Sequence, residues 1–336
     1  MQQGRDDGHP TASSRYRRPN PDQGESPGST FAARFPPCHP AATRPSPTVP
    51  PLCYPRVVLD DTYAVRFAGL ARLYGTTGLD RLRAARVLVV GLGGVGSWVV
   101  EALARSGIGA LTLVDLDEVC LSNVNRQLPA LDGNVGRFKA EVLADRVRAI
   151  HPGCEVQART EFFTEDNAEA MLAEPWSAVV DAIDAVANKC RLIAGARARN
   201  LPVVASGGAG GRRDGTQFRI ADLADVTHDR LLAEVRRRLR KEHDFPPAGK
   251  RMGIPCVFST EPLIVPRRDG TVCRAEERAA TEAGGEGPPS AEGAGSEGSG
   301  EVRRLNCDWG YGSASFVTGA AGLAAAGWVV GHIANG

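Results

Sequence analysis

The sequence predicts an α/β fold: a Rossmann-like, doubly wound, mostly parallel sheet with helices on both faces, extended by a C-terminal antiparallel part. Three observations predict it. Short apolar runs alternate with helical stretches from Val87 to Ser206, and such alternation makes βαβ units with a parallel sheet covered on both sides. A glycine loop, Gly91-Leu92-Gly93-Gly94-Val95-Gly96, stands between the first run and the helix after it. Beyond Gly211 the alternation breaks, and two further strand-like runs flank a basic helix.

Each element has its own warrant. Residues 63–78 form a short amphipathic piece (Phe67, Leu70, Leu73, Tyr74), followed by 79–85. Residues 87–90 are wholly apolar and β-branched-rich, as a strand buried on both faces requires. Residues 97–106 read as a helix with Gly107 as its C-cap. Residues 111–114 are the second strand, ending in Asp115-Leu116-Asp117. Further helices are expected at 136–150, 167–173 and 189–199, and further strands at 156–158, 178–183 and 203–206. The last strand runs into the glycines 207–211. Strands at 216–220 and 257–259 enclose a basic helix, 230–241, and continue the same domain. Residues 313–334 are apolar and long enough to span a bilayer, yet rich in Gly and Ala and interrupted by Thr318 and His332. They read as a buried or dimer-packing helix, with membrane association as the alternative.

Composition limits where this fold can lie. The chain has 336 residues, with 39 glycines and 23 prolines. More than half of the prolines fall in residues 1–56, which read as a disordered arm with too few periodic apolar residues to offset ordering entropy. A start codon assigned upstream of the true one would leave the same composition. Residues 279–301 contain only Ala, Thr, Glu, Gly, Pro and Ser, and read as a flexible acidic insertion. The domain at 57–336, without that insertion, keeps about 257 residues. This excludes a mini-protein and a wholly disordered chain. Forty basic residues face thirty-nine acidic ones, so any basic surface is local, and DNA is not an expected partner. The eight cysteines contain no C-x-x-C pair, and the first residues are polar. A reducing cytoplasm fits, and the zinc-ribbon signal is missing.

The glycine loop carries the first chemistry. Gly91-x-Gly93-x-x-Gly96 permits a tight turn and lets backbone N–H groups and a helix N-terminus approach a phosphate. Asp115 follows Gly91 by 24 residues at a strand end, where a carboxylate can hold ribose hydroxyls. Glycines serving only helix–strand packing would look the same, and the loop alone does not separate NAD from ATP. The next segment favours a triphosphate. Ser122-Asn123-Val124-Asn125-Arg126-Gln127 is followed by Lys139, and cations behind a phosphate loop can neutralise developing pyrophosphate charge. Asp184, on the carboxyl edge of the sheet, can hold Mg²⁺ between phosphate oxygens.

Together these residues resemble the ubiquitin-activating-enzyme-like adenylyltransferases, the superfamily that includes the molybdopterin and thiamine sulfur-carrier activators. The shared pattern is supplied here by Gly91, Gly93, Gly94 and Gly96; Asp115 and Asp117; Asn123, Arg126 and Gln127; Lys139; and Asp184. The resemblance implies attack of a carboxylate on the α-phosphorus of ATP, giving an acyl-adenylate and pyrophosphate. It assigns Arg126 and Lys139 to the phosphates, Asp115 to the ribose and Asp184 to Mg²⁺. Carrier activators usually follow that Asp with Asn, where this chain has Ala185.

Other segments are similar to the tRNA threonylcarbamoyladenosine dehydratases of that superfamily. They are Arg66-Phe67, residues 71–75, 93–98, 101–109 and 207–211, and Cys256-Val257-Phe258-Ser259-Thr260-Glu261. The similarity implies adenylation of the threonine carboxylate of N6-threonylcarbamoyladenosine at position 37 of tRNA. The neighbouring carbamoyl group then closes a ring and releases AMP, a net loss of water. It further implies ATP and Mg²⁺, a homodimer, and possible sulfur-transfer proteins as partners. Many relatives place at Gly69 an Arg that reaches the partner subunit's ATP; here Arg66 and Arg72 are the nearest, and the expectation falls on Arg72. A sulfur-carrier adenylyltransferase is the alternative, and the missing zinc pairs count against it. Cys256 is a candidate thiol for a covalent step or a plain buried residue. The run Arg236-Arg237-Arg238-Leu239-Arg240-Lys241, with Lys250 and Arg251, is either a solvated face or a binding surface for the tRNA backbone.

Overall fold

The computed structural model describes residues 59–267, 270–277 and 311–336. The expected arm at 1–56 and the insertion at 279–301 lie outside the described residues. The chain enters through α1 (Leu59–Ala84) and passes into β1 (Arg86–Val90), α2 (Gly96–Arg105) and β2 (Ala110–Val114). It continues through α3 (Lys139–Ile150), β3 (Glu155–Arg159), α4 (Glu165–Leu172), β4 (Ala178–Asp181), α5 (Val186–Ala198) and β5 (Val203–Ser206). Next come β6 (Phe218–Asp222), α6 (Arg230–Glu242), β7 (Pro255–Ser259), β8 (Ile264–Pro266), β9 (Val272–Arg274) and α7 (Ser315–Asn335).

Seven strands form one sheet in the order β3-β2-β1-β4-β5-β7-β6, parallel except for β6, which runs antiparallel to β7. The expected doubly wound sheet with an antiparallel extension is therefore present, and β6 and β7, the two strands expected after Gly211, belong to the same sheet. A separate antiparallel hairpin, β8–β9, carried no recognisable signal in the sequence. Val90 pairs with both Val114 and Asp181, which brings the carboxyl ends of β1, β2 and β4 level. The strand order reverses at β1 and β4, and such a switch point opens a crevice outside the carboxyl edge.

Burial explains the uninterrupted apolar strand. Val87 and Val89 pack on one face with Val99, Leu103, Leu143, Ala321 and Val329, so α2, α3 and α7 cover that side. Leu88 and Val90 pack on the other with Trp176, Ile193, Leu232 and Val235, from α5, α6 and the segment before β4. Helix α7 belongs to the first layer. Gly322 lets it approach α2 so closely that an added Cβ would lie 2.6 Å from the Val95 carbonyl oxygen. Its apolar residues Val317, Ala321, Ala325, Val329 and Ile333 are buried in this layer.

Several boundaries differ from expectation, each for a physical reason. The break expected between 78 and 79 falls instead at Gly75, where φ 75° and ψ 169° divide α1 into two helical pieces and suit glycine. The helix expected from 136 begins at Lys139, because Gly136 has φ 84° and its N–H bonds back to the Val119 carbonyl. The strand expected to reach 183 stops at Asp181, and α5 starts at Val186 rather than 189. Residues 182–185 thereby become a loop at the carboxyl edge. The strand expected at 216–220 is displaced to Phe218–Asp222 by a single 3₁₀ turn, Gly215–Gln217, capped by Asp214.

Candidate nucleotide site

The glycine loop leaves β1 at Gly91, whose φ is 88°. A Cβ there would lie 2.6 Å from the Ala182 carbonyl oxygen, and one on Gly96 would lie 1.8 Å from the Gly91 carbonyl oxygen. These two glycines are required by close packing between the loops after β1 and β4. Gly93 is different: its nearest outside atom is Gln127 Nε2 at 3.9 Å, so its backbone borders open space. Helix α2 begins immediately afterwards, and Val95 at its N-cap supplies no side-chain acceptor. An uncapped helix start behind an open glycine turn suits an anionic group.

The acidic pair after β2 braces this loop. Asp115 is buried; its Oδ2 accepts from the Leu92 N–H at 2.6 Å and its Oδ1 from the Asp117 N–H at 2.8 Å. Burial raises its pKa, and the nearby Lys139 opposes that rise. Asp115 thus fixes the glycine turn, a role the sequence did not reveal beside the expected ribose contact. Lys139, 5% exposed at the first turn of α3, donates to Asp117 Oδ2 at 2.8 Å. Asn123 accepts from the Cys120 N–H at 3.1 Å and shapes the turn that presents Arg126. The Arg126 guanidinium donates to the Ser122 carbonyl at 2.8 Å and to Asn125 Oδ1 at 3.1 Å. Its own carbonyl accepts from Trp98 Nε1 at 3.2 Å and from Thr318 Oγ1 at 3.0 Å, tying the segment to α2 and α7. Gln127 is buried beside Gly93, and its Oε1 has no partner among the described residues.

Behind the loop lies an ion pair that sequence reasoning missed. Asp181 and Lys189 are 3.1 Å apart with no exposed side-chain surface on either. Burial drives the Asp181 pKa up against the pull of Lys189. Lys189 also donates to the Ile183 carbonyl at 2.9 Å, holding the 182–185 loop under Gly91. The available signal was an Asp closing an apolar strand with a Lys eight residues later. Asp184, in the same loop, is exposed.

The structure therefore gathers Gly91, Gly93, Gly94, Gly96, Asp115, Asp117, Asn123, Arg126, Gln127, Lys139 and Asp184 at one sheet edge. Two expected residues stand elsewhere. Arg72 is exposed on α1, while its competitor Arg66 donates to the Ile150 carbonyl at 3.0 Å. Cys256 lies in β7 with 0% exposure, and burial pushes its thiol well above the ordinary range. The expectation of a catalytic thiol is corrected: Cys256 is a core residue, inaccessible to a substrate and held as the thiol. The basic helix is also less available than its sequence suggests. Arg236 donates to the Leu223 and Val226 carbonyls and Arg240 to that of Pro246, while Arg237 and Arg238 pair with Glu234 and Glu242.

With this geometry in place, comparison with known proteins is informative. The profile of the ThiF family matches residues 66–277. The chain belongs to the ThiF family. Within this family it groups with the tRNA threonylcarbamoyladenosine dehydratases. It is 45% identical to the Escherichia coli dehydratase over 270 residues, 80% of this chain and 93% of the relative. The Bacillus subtilis dehydratase is 41% identical over 195 residues, 58% of this chain and 74% of the relative. The solved ATP complex of the Escherichia coli enzyme superposes with a TM-score of 0.67 at 38% identity, covering 82% of this chain and 97% of that one. For this ThiF-family chain, the glycine loop and its basic neighbours now have a shared purpose.

Proposed function

We propose that this protein is an ATP-dependent tRNA threonylcarbamoyladenosine dehydratase. The observation that carries the reading is the convergence of the glycine turn, Arg126, Lys139 and Asp184 on the carboxyl edge of β1, β2 and β4. In the first step an oxygen of the threonine carboxylate bonds to the α-phosphorus of ATP, and the bond to pyrophosphate breaks. Arg126 and Lys139 stabilise the charge that gathers on the departing phosphates. In the second step the carbamoyl group bonds to the activated carbonyl carbon and loses a proton, and AMP leaves. Both reacting groups belong to one modified base, so closure needs positioning rather than an enzyme nucleophile.

Asp184 suits Mg²⁺: it is exposed at the phosphate edge, and this ion takes one or two carboxylates together with phosphate oxygens. When bound, Mg²⁺ supplies charge neutralisation there. The buried Asp181 is committed to Lys189 and is unsuited to the task. A homodimer is supported by the apolar side chains Val65 and Leu73, 77% and 75% exposed on α1, with Val65 two turns before Arg72 on the same face. A second copy covering that face would bring Arg72 toward its partner's nucleotide. Sulfur-transfer proteins would need an accessible thiol, and among the described cysteines Cys120 is the exposed one.

The deciding experiment incubates the protein with ATP, Mg²⁺ and tRNA carrying threonylcarbamoyladenosine, then weighs the nucleoside under conditions that protect the ring. ATP-dependent loss of one water is expected. AMP release that requires a small carrier protein, with the nucleoside unchanged, would instead assign the chain to carrier activation.

A further inference from the structure

Four side chains among the described residues hold buried polar atoms without hydrogen-bond partners: Gln127, Asp181, Arg212 and Ser313. Gln127 and Asp181 belong to the nucleotide site. Arg212 and Ser313 have no assigned role. They lie on two segments joined by a bond from the Gly211 N–H to the Gly312 carbonyl at 2.7 Å, one residue from each orphan. The second segment reaches the nucleotide site directly, because Asn125 Nδ2 donates to the Ser313 carbonyl at 2.8 Å and Thr318 holds the Arg126 carbonyl. A continuous path thus runs from Arg126 to Arg212 along the carboxyl edge.

Arg212 is the unusual member. It is 4% exposed, its Nη2 donates to the His228 carbonyl, and its Nε and Nη1 have no partner among the described residues. Asp229 is close enough to act on it electrostatically, yet its Oδ1 and Oδ2 are taken by the N–H groups of Leu232 and Gly208. Glu261, which also acts on Arg212 electrostatically, accepts from the N–H groups of Arg213 and Asp214. A buried guanidinium without a paired carboxylate is costly, and the arrangement makes sense if an anion arrives. With one Nη2 hydrogen engaged, a fork of the group still matches the two oxygens of a carboxylate. Gly208, whose N–H bonds to Asp229, has open space where a side chain would stand.

We propose that Arg212 is the residue that receives the substrate's threonine carboxylate, with Ser313 Oγ as a second donor to the same modified side chain. The proposal rests on the dehydratase reading and names how that site selects its substrate. A backbone phosphate, fixed to the outside of a polynucleotide strand, is the less suitable occupant of a site this buried.

The test uses the full chain and two tRNAs that differ only in whether adenosine 37 carries threonylcarbamoyl. Binding of each is measured for the wild type, Arg212→Gln and Arg212→Met, alongside ATP binding. The wild type is expected to prefer the modified tRNA, and both variants to lose that preference on the order of 10- to 100-fold. ATP affinity and affinity for the unmodified tRNA stay unchanged. Arg212→Met is also expected to melt no lower than the wild type without tRNA, because it removes a buried charge that no carboxylate hydrogen-bonds among the described residues. Retained preference in a folded variant overturns the proposal, as does an equal loss of affinity for both tRNAs, which would assign Arg212 to a phosphate. If the wild type itself shows no preference, the dehydratase reading fails instead.

Discussion

At the scale of single residues, the site separates groups that hold the loop from groups that face the ligand. Arg126 does both with different atoms: its carbonyl anchors Trp98 and Thr318, while its guanidinium bonds to the neighbouring Ser122 and Asn125. Truncating the side chain leaves the anchoring carbonyl in place. Arg126→Ala should therefore unfold within about 1 kcal/mol of the wild type yet lose roughly 10²–10³ in the rate of AMP formation. Steady-state kinetics beside a urea melt checks both halves. Lys189 is the reverse case. Removing it strands Asp181 in a site with no exposed surface, so Lys189→Met should cost about 3–5 kcal/mol. A melting curve near that of the wild type would contradict this. The sequence named Arg126 because its neighbours repeat a known spacing; it could not name Lys189, whose importance comes only from the register that buries Asp181.

At the scale of elements, packing between helices decides whether the glycine turn keeps its shape. Glu101 of α2 is buried and accepts from Arg146 of α3 at 2.5 and 3.0 Å, and from Arg105 at 2.7 Å. Burial alone would raise its pKa, but the hydrogen bonds from Arg146 and Arg105 more than offset this and lower it. A carboxylate with a lowered folded pKa stabilises above its unfolded value and loses that stabilisation as pH falls through the folded one. Glu101→Gln should thus be about 1–3 kcal/mol less stable than the wild type at neutral pH, and the gap should close in acid below the ordinary glutamate range. Urea melts across pH would show a constant gap if the assignment is wrong. The packing of α2 on α7 gives a second test. A Cβ at Gly322 would sit 2.6 Å from the Val95 carbonyl oxygen and 2.7 Å from Trp98 Cβ, both backed by helix α2. Gly322→Val should destabilise by about 1–3 kcal/mol through overpacking, and weaken ATP binding because Val95 closes the glycine turn. Unchanged ATP affinity in a destabilised variant would uncouple the two. The helix at 313–334 was legible as apolar, but not its partner, since glycines on a hydrophobic helix look alike whether a lipid or another helix lies against them.

At the scale of the whole molecule, near-neutral net charge means that tRNA must be held by local cations. The sequence pointed to the helix now seen as α6 from the density of its arginines. The spacing of charges did not say which were already engaged. Arg236 and Arg240 are tied to backbone carbonyls of their own chain, and withdrawing them to meet a phosphate would leave those carbonyls without a partner. Arg237 and Arg238 are paired with Glu234 and Glu242 at or near the surface, and such pairs exchange for a phosphate at little cost. Lys241 and Lys250 are exposed. The candidate tRNA surface is therefore the outer face of α6 and the turn after it, rather than all of the basic residues. Reversing Lys241 and Lys250 together to Glu should weaken tRNA binding whether or not adenosine 37 is modified. The slope of log affinity against log salt should fall by about one for each phosphate that no longer meets a cation. ATP affinity should not change, because the glycine turn lies at the carboxyl edge between β1 and β4. Reversing Arg236 and Arg240 should instead lower the melting temperature first. If the lysine reversals leave the salt slope untouched, the cations that hold tRNA lie elsewhere on the chain.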